Sequence, residues 1–471
     1  MTLAWTVNID WADTGSYTNE GGLVSGMSWS RGRKNFIKTD GSGFEEMQTG
    51  KMYVTLFNKS NRFDPYNSSS PIYPNVEPGH LAKVSLTIDG GSSIPVFAGV
   101  LDDIKYVDEL HIKLVLADGM FLLDTDFSTA IQEDSNVATA IEAILDAVSY
   151  PFTYDLESDS DIIPVFWGEG NAKTEIERLV QSSLGFFFIA ADGKPTFQDR
   201  HISESGATEI DGSDIVRDPA IKMPWETKKN KIIIQVHPVS KTADSTVWSL
   251  PESIAVEAGG SVEIWAEYVN SNGDKIPASS VTVDSFTANS ASDGSGTDKA
   301  SDFTVTLTAF AKTGKLEIDN AGAGTSYLTG CVLKGTAIEQ QDPVTTRKEN
   351  SDSRKRLFSL DLAWQQSLNV GIDLAAYLLK SLEDPLLNPA IQIENDPTTQ
   401  FGFELGDLIE LTITDKYITE IIFRIGGIDG EWTQRDGQKV LSTYYLEMLP
   451  DVLTQYFVLD SSQLDVGELG Y

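Results

Sequence analysis

The chain has 471 residues, of which 41% are hydrophobic and 10% aromatic. This length suits about three or four compact units, each with its own core. Lys and Arg total 35 against 70 Asp and Glu, a formal net charge of -35 at pH 7. Such an acidic chain is a poor partner for a phosphate backbone, so we predict no specific binding of nucleic acid. The single cysteine, Cys331, excludes an intramolecular disulfide and a thiolate metal cage, and we expect it to be buried.

The first segment, MTLAWTVNIDWADTG, is predicted to be a strand. It carries acidic residues and tryptophans where a signal peptide needs a basic flank and an unbroken apolar stretch. The longest apolar runs, such as LGFFFIAA, are far shorter than the roughly 20 residues of a membrane helix. We therefore expect a soluble protein, made in a reducing cytoplasm, with no transmembrane segment.

Residues 1–129 are predicted to form an N-terminal β-barrel domain. Alternating or apolar runs separated by turn residues recur in AKVSLTIDG, PVFAGVLDDIKYV and ELHIKLVLADGMFLL. Arg31, Arg33 and Lys34 form a rare basic cluster within SRGRKNFIKTDGSG. The charge pattern alone favours a solvated loop.

The stretch Met52–Gly79 joins a strand to a long polar loop. Its first six residues, MYVTLF, show the period-2 pattern of a strand. The following NKSNRFDPYNSSSPIYPNVEPG is rich in turn formers, among them prolines that fix the backbone and remove amide donors. We predict a loop of fixed shape that serves as an interface, so that Pro71→Gly together with Pro74→Gly disturbs assembly more than folding.

Residues 130–241 are predicted to form a small α/β domain and return strands. The helical period replaces the strand period here, and Asn136 and Asn171 are predicted to cap two amphipathic helices, the second ending at Gly185. FFFIAADGKPTFQDR then predicts two strands joined by a tight turn at Asp192–Gly193.

Residues 242–338 are predicted to be an inserted immunoglobulin-like β-sandwich. SVEIWAEYV and DFTVTLTAF alternate as half-buried strands do, and loops rich in Gly, Ser, Asn and Asp separate the strands. The disulfide that many immunoglobulin domains carry cannot be matched with one cysteine.

Residues 339–450 are predicted to form a C-terminal helix and a second β-barrel domain. The apolar face of the helix ends before Asp384–Pro385, and NPAIQIEND, a turn at Leu405–Asp407 and further strands follow. The C-terminal tail, residues 451–471, contains the run TQYFVL. This tail either docks on the chain's own barrel or adds a strand to the sheet edge of a neighbour.

No catalytic, cofactor-binding or metal-binding residues are predicted. The four histidines lie in no hydrolase or metal motif: His80, His111, His201 and His237. WGEGNA is the best local candidate for glycan cleavage, because Trp167 offers a stacking face and Glu169 a carboxylate near Glu175 and Glu177. A turn before a capped helix explains the same residues with fewer assumptions.

Two acidic segments are weighed as calcium sites, the alternating acids of Asp155–Asp161 and the DGSGTD run of Asp293–Asp298. The DGSGTD run lacks the spaced terminal glutamate of an EF-hand loop. The first segment, with Asp155, Glu157, Asp159 and Asp161, alternates acids more densely, a pattern that can collect a cation. We interpret both as exposed acidic loops and predict no cofactor.

Several of these motifs carry a resemblance to a known family. NRFDPYNSSSPIYPNVEPGHLAKV, followed by PVFAGVLDDI at Pro95–Ile104, resembles the N-terminal barrel of tail hub and tail-tip proteins of long-tailed bacteriophages. The helix, the L-G-D turn and strands ending in L-x-x-L-P at Leu446–Pro450 resemble the closing barrel half of the same family. The similarity covers roughly residues 1–235 and 340–450, with the sandwich as an addition. For the basic cluster of Arg31, Arg33 and Lys34, the resemblance implies an interface loop as the alternative to a solvated loop.

The resemblance implies an α+β, mostly β fold with two barrel-like hub domains packed side by side. It implies a structural, non-enzymatic virion protein that forms the hub or tip of the tail, closes the tail tube and anchors receptor-binding parts. The implied partners are the distal tail or tail tube protein, the tape measure protein, a tail fibre or receptor-binding protein, and two further copies in a homotrimer. The implied location is the tail tip of the virion, assembled in the bacterial host cytoplasm.

Two other functions remain open at this point. One is a tail-associated cell-wall hydrolase, which zymography would detect. The other is an adhesin whose sandwich binds glycans.

Overall fold

The computed structural model describes residues 2–448 except 36, 39–42, 159–160, 201–206, 217–218, 224, 417 and 435–438. Strands account for 51% of the chain and helices for 14%, so the predicted mostly β class is confirmed. The predicted C-terminal tail, and with it the end of the L-x-x-L-P motif, lies outside the described residues.

The first part of the chain folds into antiparallel strands because buried and exposed side chains alternate along it. The predicted period-2 pattern of MYVTLF is confirmed, since Met52, Val54 and Leu56 are buried and Phe57 at the strand end is exposed. The elements are β1 (Leu3–Ile9), β2 (Thr18–Asn19), β3 (Val24–Gly32), β4 (Gln48–Phe57), β5 (Leu81–Ile88), β6 (Ser93–Tyr106), β7 (His111–Asp118) and α1 (Gly119–Leu122).

The small α/β part has the predicted order of helix, strands, helix and hairpin. Asn136 and Asn171 cap their helices, accepting from the backbone N–H of Thr139 at 2.8 Å and of Thr174 at 3.1 Å. The second helix was predicted to end at Gly185, but the left-handed residue that ends it is Leu184. The elements are β8 (Asp126–Ser128), β9 (Gln132–Asn136), α2 (Val137–Ala147), β10 (Asp155–Leu156), β11 (Ile162–Phe166), β12 (Glu169–Asn171), α3 (Ala172–Ser183), β13 (Phe186–Ile189) and β14 (Pro195–Gln198).

Three return strands and two small sheets follow. The sheets are β18-β24-β19, with β21 also paired to β24, and β20-β23-β22. Their facing side chains share one apolar cluster that includes the buried Cys331, and the alternation of SVEIWAEYV and DFTVTLTAF is confirmed. An immunoglobulin-like identity stays a prediction. The strands are β15 (Thr208–Asp211), β16 (Ala220–Lys222), β17 (Lys231–Val236), β18 (Val239–Ser249), β19 (Ile254–Val256), β20 (Ser261–Glu267), β21 (Ala278–Asn289), β22 (Phe303–Ala309), β23 (Thr313–Asn320) and β24 (Ser326–Gln340).

The last part adds a long helix and six strands. β17 pairs with β25 and β26, and the apolar face of the predicted helix, α4, packs on this small sheet. The elements are β25 (Val344–Glu349), β26 (Leu357–Leu362), α4 (Leu368–Leu382), β27 (Asn388–Glu394), α5 (Pro397–Gln400), β28 (Leu408–Ile413), β29 (Ile418–Thr433) and β30 (Lys439–Met448).

One sheet of thirteen strands combines the first and last parts of the chain, in the order β16-β27-β30-β29-β3-β4-β7-β6-β5-β1-β2 with β28 and β15 branching from β29. We predicted two barrel-like domains side by side. Instead, β3 and β29 pair by backbone hydrogen bonds, and over the described residues the strand path keeps open ends and does not close a barrel. The division into domains at 129, 241, 338 and 450 stays a prediction.

Candidate interaction surface

The loop between β4 and β5 is closed by hydrogen bonds among its own turn-forming residues. Asn58 Oδ1 accepts from the backbone N–H of Phe63 at 3.0 Å. Asn67 Nδ2 donates to the carbonyl of Asn61 at 2.9 Å. Such side chain to backbone bonds replace the ladder bonds of a strand, as the composition of the loop predicts.

Three apolar side chains anchor this loop to the core. Phe63, Ile72 and Val76 are buried in a cluster formed mainly by strands of the first part of the chain, together with Trp432 of β29 and Val440 of β30. Burying an apolar side chain of this size contributes about 1.5–3 kcal/mol. The loop therefore covers one side of that cluster and is fixed to it at three points.

A buried carboxylate supplies a further anchor. Arg62 donates from Nε and Nη2 to the two oxygens of Glu20, at 2.9 and 2.6 Å. Trp11 Nε1 donates to the same Glu20 at 3.2 Å. Because the Arg62 pair is bidentate, it fixes orientation as well as position.

The opposite side of the loop exposes large side chains. Tyr106 lies beside the loop, since its hydroxyl donates to the carbonyl of Phe63 at 3.3 Å. Partial burial, and then the nearby Asp64 and Tyr66, raise the pKa of Tyr106. We call the following residues the loop surface: Tyr66, 91% exposed, Tyr73, 47%, Tyr106, 58%, and Leu110, 66%. Exposed aromatic groups on a fixed backbone are typical of protein interfaces.

The two arginines of the basic cluster, Arg31 in β3 and Arg33 directly after it, are buried. At these two residues the cluster is therefore neither a solvated loop nor an interface loop. Arg33 donates from Nε and Nη2 to the two oxygens of Glu447, at 2.6 and 3.0 Å. Arg424 Nη2 donates to Glu447 Oε2 at 3.0 Å. Arg31 Nη1 lies 2.8 Å from Glu404 Oε1, and only Lys34 is half exposed, paired to Asp429.

We call Arg33, Arg424 and Glu447 the arginine joint. All three side chains are buried where β3, β29 and β30 meet. Burial favours the neutral acid, but the two guanidinium groups hold the pKa of Glu447 below its usual range. Both guanidinium groups also lie over the ring of Phe186, at 5.0 and 4.1 Å, and so connect the sheet to the α/β part.

The WGEGNA segment does not form an open sugar-binding cleft. Trp167 is buried with its ring 4.9 Å from that of Trp364, so its face is not offered to a ligand. Glu169 is paired with Lys312. Glu175 accepts from the indole N–H of Trp364, and burial raises its pKa.

Each histidine that the structure describes faces a carboxylate. His201 lies outside those residues. The pairs are His80–Asp13, His111–Asp108 and His237–Asp361. A serine or cysteine nucleophile next to such a histidine would indicate acyl transfer, and the only cysteine, Cys331, is buried in another part of the chain.

Of the acidic segments considered as calcium sites, Asp159 lies outside the described residues, and two of the other acids are bound by the chain itself. Asp161 is paired with Arg200, whose Nη2 donates to Oδ1 at 3.1 Å, and Asp293 accepts from the backbone N–H of Ser295 at 2.9 Å. Within the described ranges, no group of three His, Cys, Asp or Glu side chains could hold a metal ion. No described helix is long and apolar enough to cross a membrane.

Comparisons with known proteins agree with the sequence resemblance at the level of the fold. No protein-family model matches the chain, and no curated protein matches its sequence. The 43 kDa tail protein of prophage MuSo2 from Shewanella oneidensis is similar with 10% identity and a TM-score of 0.50, over 96% of this chain and 98% of that one. A tail protein from Neisseria meningitidis MC58 is similar with 8% identity and a TM-score of 0.50, over 96% and 99% of the two chains. The predicted resemblance to phage tail proteins is therefore confirmed as a shared fold.

Proposed function

We propose that the chain is a structural protein of a phage tail, located at its hub or tip. The observation that carries this proposal is the fold, which is similar over 96% of the chain to that of a prophage tail protein. The single sheet that combines the first and last described parts of the chain suits a scaffold that must transmit load without separating.

In this role the loop surface supplies a contact with a neighbouring tail component. The partners we propose are the distal tail or tail tube protein, the tape measure protein, a fibre or receptor-binding protein, and two further copies in a homotrimer. A ring of such acidic chains would close the tube and repel DNA from its wall, because each copy carries a net charge of -35.

The first test combines the mass of the purified protein in solution with immunolabelling of intact particles. We expect a trimer and a label at the tail tip. A protein that remains a monomer and never labels a tail end would contradict the proposal.

A second test separates the two sides of the loop. Tyr66→Ser should lower the yield of labelled particles while changing the free energy of unfolding by less than about 0.5 kcal/mol, since the side chain is 91% exposed. Pro71→Gly with Pro74→Gly should act in the same direction through loss of a fixed shape. The matched control is Phe63→Ala, which removes a buried anchor and should cost about 3–5 kcal/mol. If Tyr66→Ser particles assemble normally, the loop surface is not the contact.

A second candidate function is glycan binding by the two small sheets. Trp265 lies on the outer side of β20, is 58% exposed and stacks on Phe310 with ring centroids 5.6 Å apart. Aromatic faces of this kind offer stacking area to a sugar ring. Adsorption of purified protein to host cell walls, compared between wild type and Trp265→Ala, tests it, and zymography of the same samples should show no clearing.

A further inference from the structure

Two segments of this acidic chain concentrate positive charge. Residues 222–231 and 347–356 together hold nine basic and three acidic residues, a net charge of +6, in a chain with a net charge of -35. They lie side by side because β17 pairs with both β25 and β26. A concentration of positive charge within an acidic protein marks a place where an acidic segment can bind.

A buried asparagine fixes the two segments to each other. Asn230 Nδ2 donates to the carbonyl of Arg354 at 2.9 Å, and its Oδ1 accepts from the backbone N–H of Arg356 at 2.6 Å. The carbonyl of Asn230 accepts from the N–H of Asn350 at 3.2 Å. The charged side chains around it are therefore presented by a backbone that is held in place.

Apolar side chains lie among the charges. The guanidinium carbon of Arg356 lies 3.5 Å from the centre of the Trp225 ring, and its Nη1 donates to the carbonyl of Trp225 at 2.7 Å. Met223, Trp225 and Leu357 are each more than half exposed. We call this set the basic patch: Lys222, Met223, Trp225, Arg354, Arg356 and Leu357.

The charges of the basic patch are not neutralised by the described part of the chain. Lys222, Arg354 and Arg356 form no ion pair with a described carboxylate, whereas Arg33 and Arg62 do. The patch thus combines unpaired positive charge with exposed apolar area, which suits an occupant that is both acidic and aromatic.

The described chain ends next to this patch. Ala220 pairs with Ala390 and Ala390 with Tyr445, so β16 and β30 run parallel with one strand between them. From this shared row, β16 continues two residues to Lys222 and β30 three residues to Met448. Two strand spacings separate the strands by about 10 Å.

The segment that follows Met448 has the matching composition. Residues 449–471 contain four acidic and no basic residues, with the run TQYFVL among them. Extended at about 3.3 Å per residue, a chain of this length reaches far beyond the patch. Attachment beside the patch gives it a high effective concentration there. We propose that residues 451–471 bind the basic patch of the same chain. This binding is independent of the function proposed above.

The test uses the full chain with Phe457→p-benzoylphenylalanine, a photoreactive side chain. After irradiation, mass spectrometry should find cross-links to peptides that contain residues 222–231 or 350–357. Lys222→Glu with Arg354→Glu should lower their yield by about tenfold or more, and so should a rise from about 50 to about 500 mM NaCl, because screening weakens exposed charge pairs. The matched control, Lys59→Glu with Lys105→Glu, reverses two exposed charges elsewhere and should leave the yield within about twofold.

A second variant is needed because substitutions in the patch could lower the cross-link yield by misfolding the patch itself. Asp460→Lys with Asp465→Lys changes only the proposed occupant, and it should lower the cross-link yield as much as the charge reversal of the patch does. Combining the two pairs of substitutions should restore part of the cross-link yield. Mixing copies labelled with light and heavy nitrogen distinguishes cross-links within one chain from cross-links between two copies. Cross-links that join light to heavy copies, cross-links that lie mainly elsewhere, a yield that ignores both reversals, or no cross-link would each overturn the proposal.

Discussion

The thirteen-stranded sheet and the segment Val239–Gln340, called the insertion below, are attached to the rest of the chain in opposite ways. Within the sheet, the first and last parts of the chain are joined by buried charge and by aromatic packing: Arg33 binds Glu447 across 414 positions of sequence, and Trp5 lies 5.6 Å from Trp432. The insertion is attached by surface ion pairs, Lys241–Glu133 and Lys312–Glu169, and a small apolar contact.

The fold depends more on the buried contacts than on the exposed ones. A buried ion pair that loses one partner leaves an uncompensated charge in the core, whereas an exposed pair contributes little. The ends of the insertion also meet, since Val239 pairs with Gln340 and the N–H of Gln341 donates to the carbonyl of Pro238 at 2.9 Å. The sheet should therefore be sensitive to single changes that the insertion tolerates.

The largest effect is expected at the arginine joint. Glu447→Gln removes the charge that compensates Arg33 and Arg424, and both guanidinium groups stay buried. We expect the free energy of unfolding, measured by urea titration, to fall by about 3–5 kcal/mol.

The matched control is Glu46→Gln, which breaks an exposed pair with Lys38 on the loop after β3. It should cost less than about 1 kcal/mol. Equal losses in the two variants would show that the joint does not hold the first and last parts of the chain together in the sheet.

Removal of the insertion should have the next largest effect. Excising residues 242–338 deletes Ile338 and Ala311, which are buried in the main core cluster, and the bond from the Ala311 N–H to the carbonyl of Thr129. We expect cooperative unfolding to persist with a free energy lower by about 2–3 kcal/mol.

Ile338→Ala in the full chain is the control for this excision. If the core contact explains the loss, the single change should reproduce most of it. A remainder with no cooperative transition would show that the insertion is part of the central fold.

Much of the local structure could be predicted from the sequence because its causes are local. The period-2 strand at MYVTLF, the caps at Asn136 and Asn171 and the turn-rich loop after β4 depend on residues within a few positions of one another. The anchoring of that loop was harder to predict, because Phe63 and Tyr66 are both aromatic residues of the same polar loop. Only the tertiary packing buries Phe63 and exposes Tyr66.

The joining of β3 to β29 and the role of the arginines could not be predicted in this way. Their partners are some four hundred positions away, and strand register is set by non-local packing. One signal was present: in RIGGIDG, a Cβ at Gly426 would collide with Glu447 and one at Gly427 with the carbonyl of Arg33. Paired glycines in a strand indicate that another backbone or side chain approaches closely.

The smallest effect is expected at Asp118, a buried acid of the sheet. Asp118 accepts from the N–H of Gly50 at 2.8 Å and from that of Met120 at 3.0 Å. Burial raises its pKa to about 7, although these donors and the nearby Arg31 oppose the shift. In the insertion, burial raises the pKa of Cys331 to about 11 and of Tyr268 to about 12, so neither group changes charge near neutral pH.

The stability falls as the pH rises because the folded chain holds the proton of Asp118 more tightly than the unfolded chain does. Because the pKa of Asp118 is higher in the folded than in the unfolded chain, its contribution to stability is complete at low pH and is lost as the pH rises through about 7. Between about pH 5.5 and pH 8.5 this loss amounts to about 2 kcal/mol. Asp118→Asn, which stays neutral, should unfold in urea with a pH dependence smaller by that amount. Asp342→Asn, at an exposed carboxylate, should not change it. If the Asp118→Asn protein keeps the pH dependence of the wild type, titration of Asp118 does not set the pH dependence of stability. In that case the sheet does not differ from the insertion in this respect.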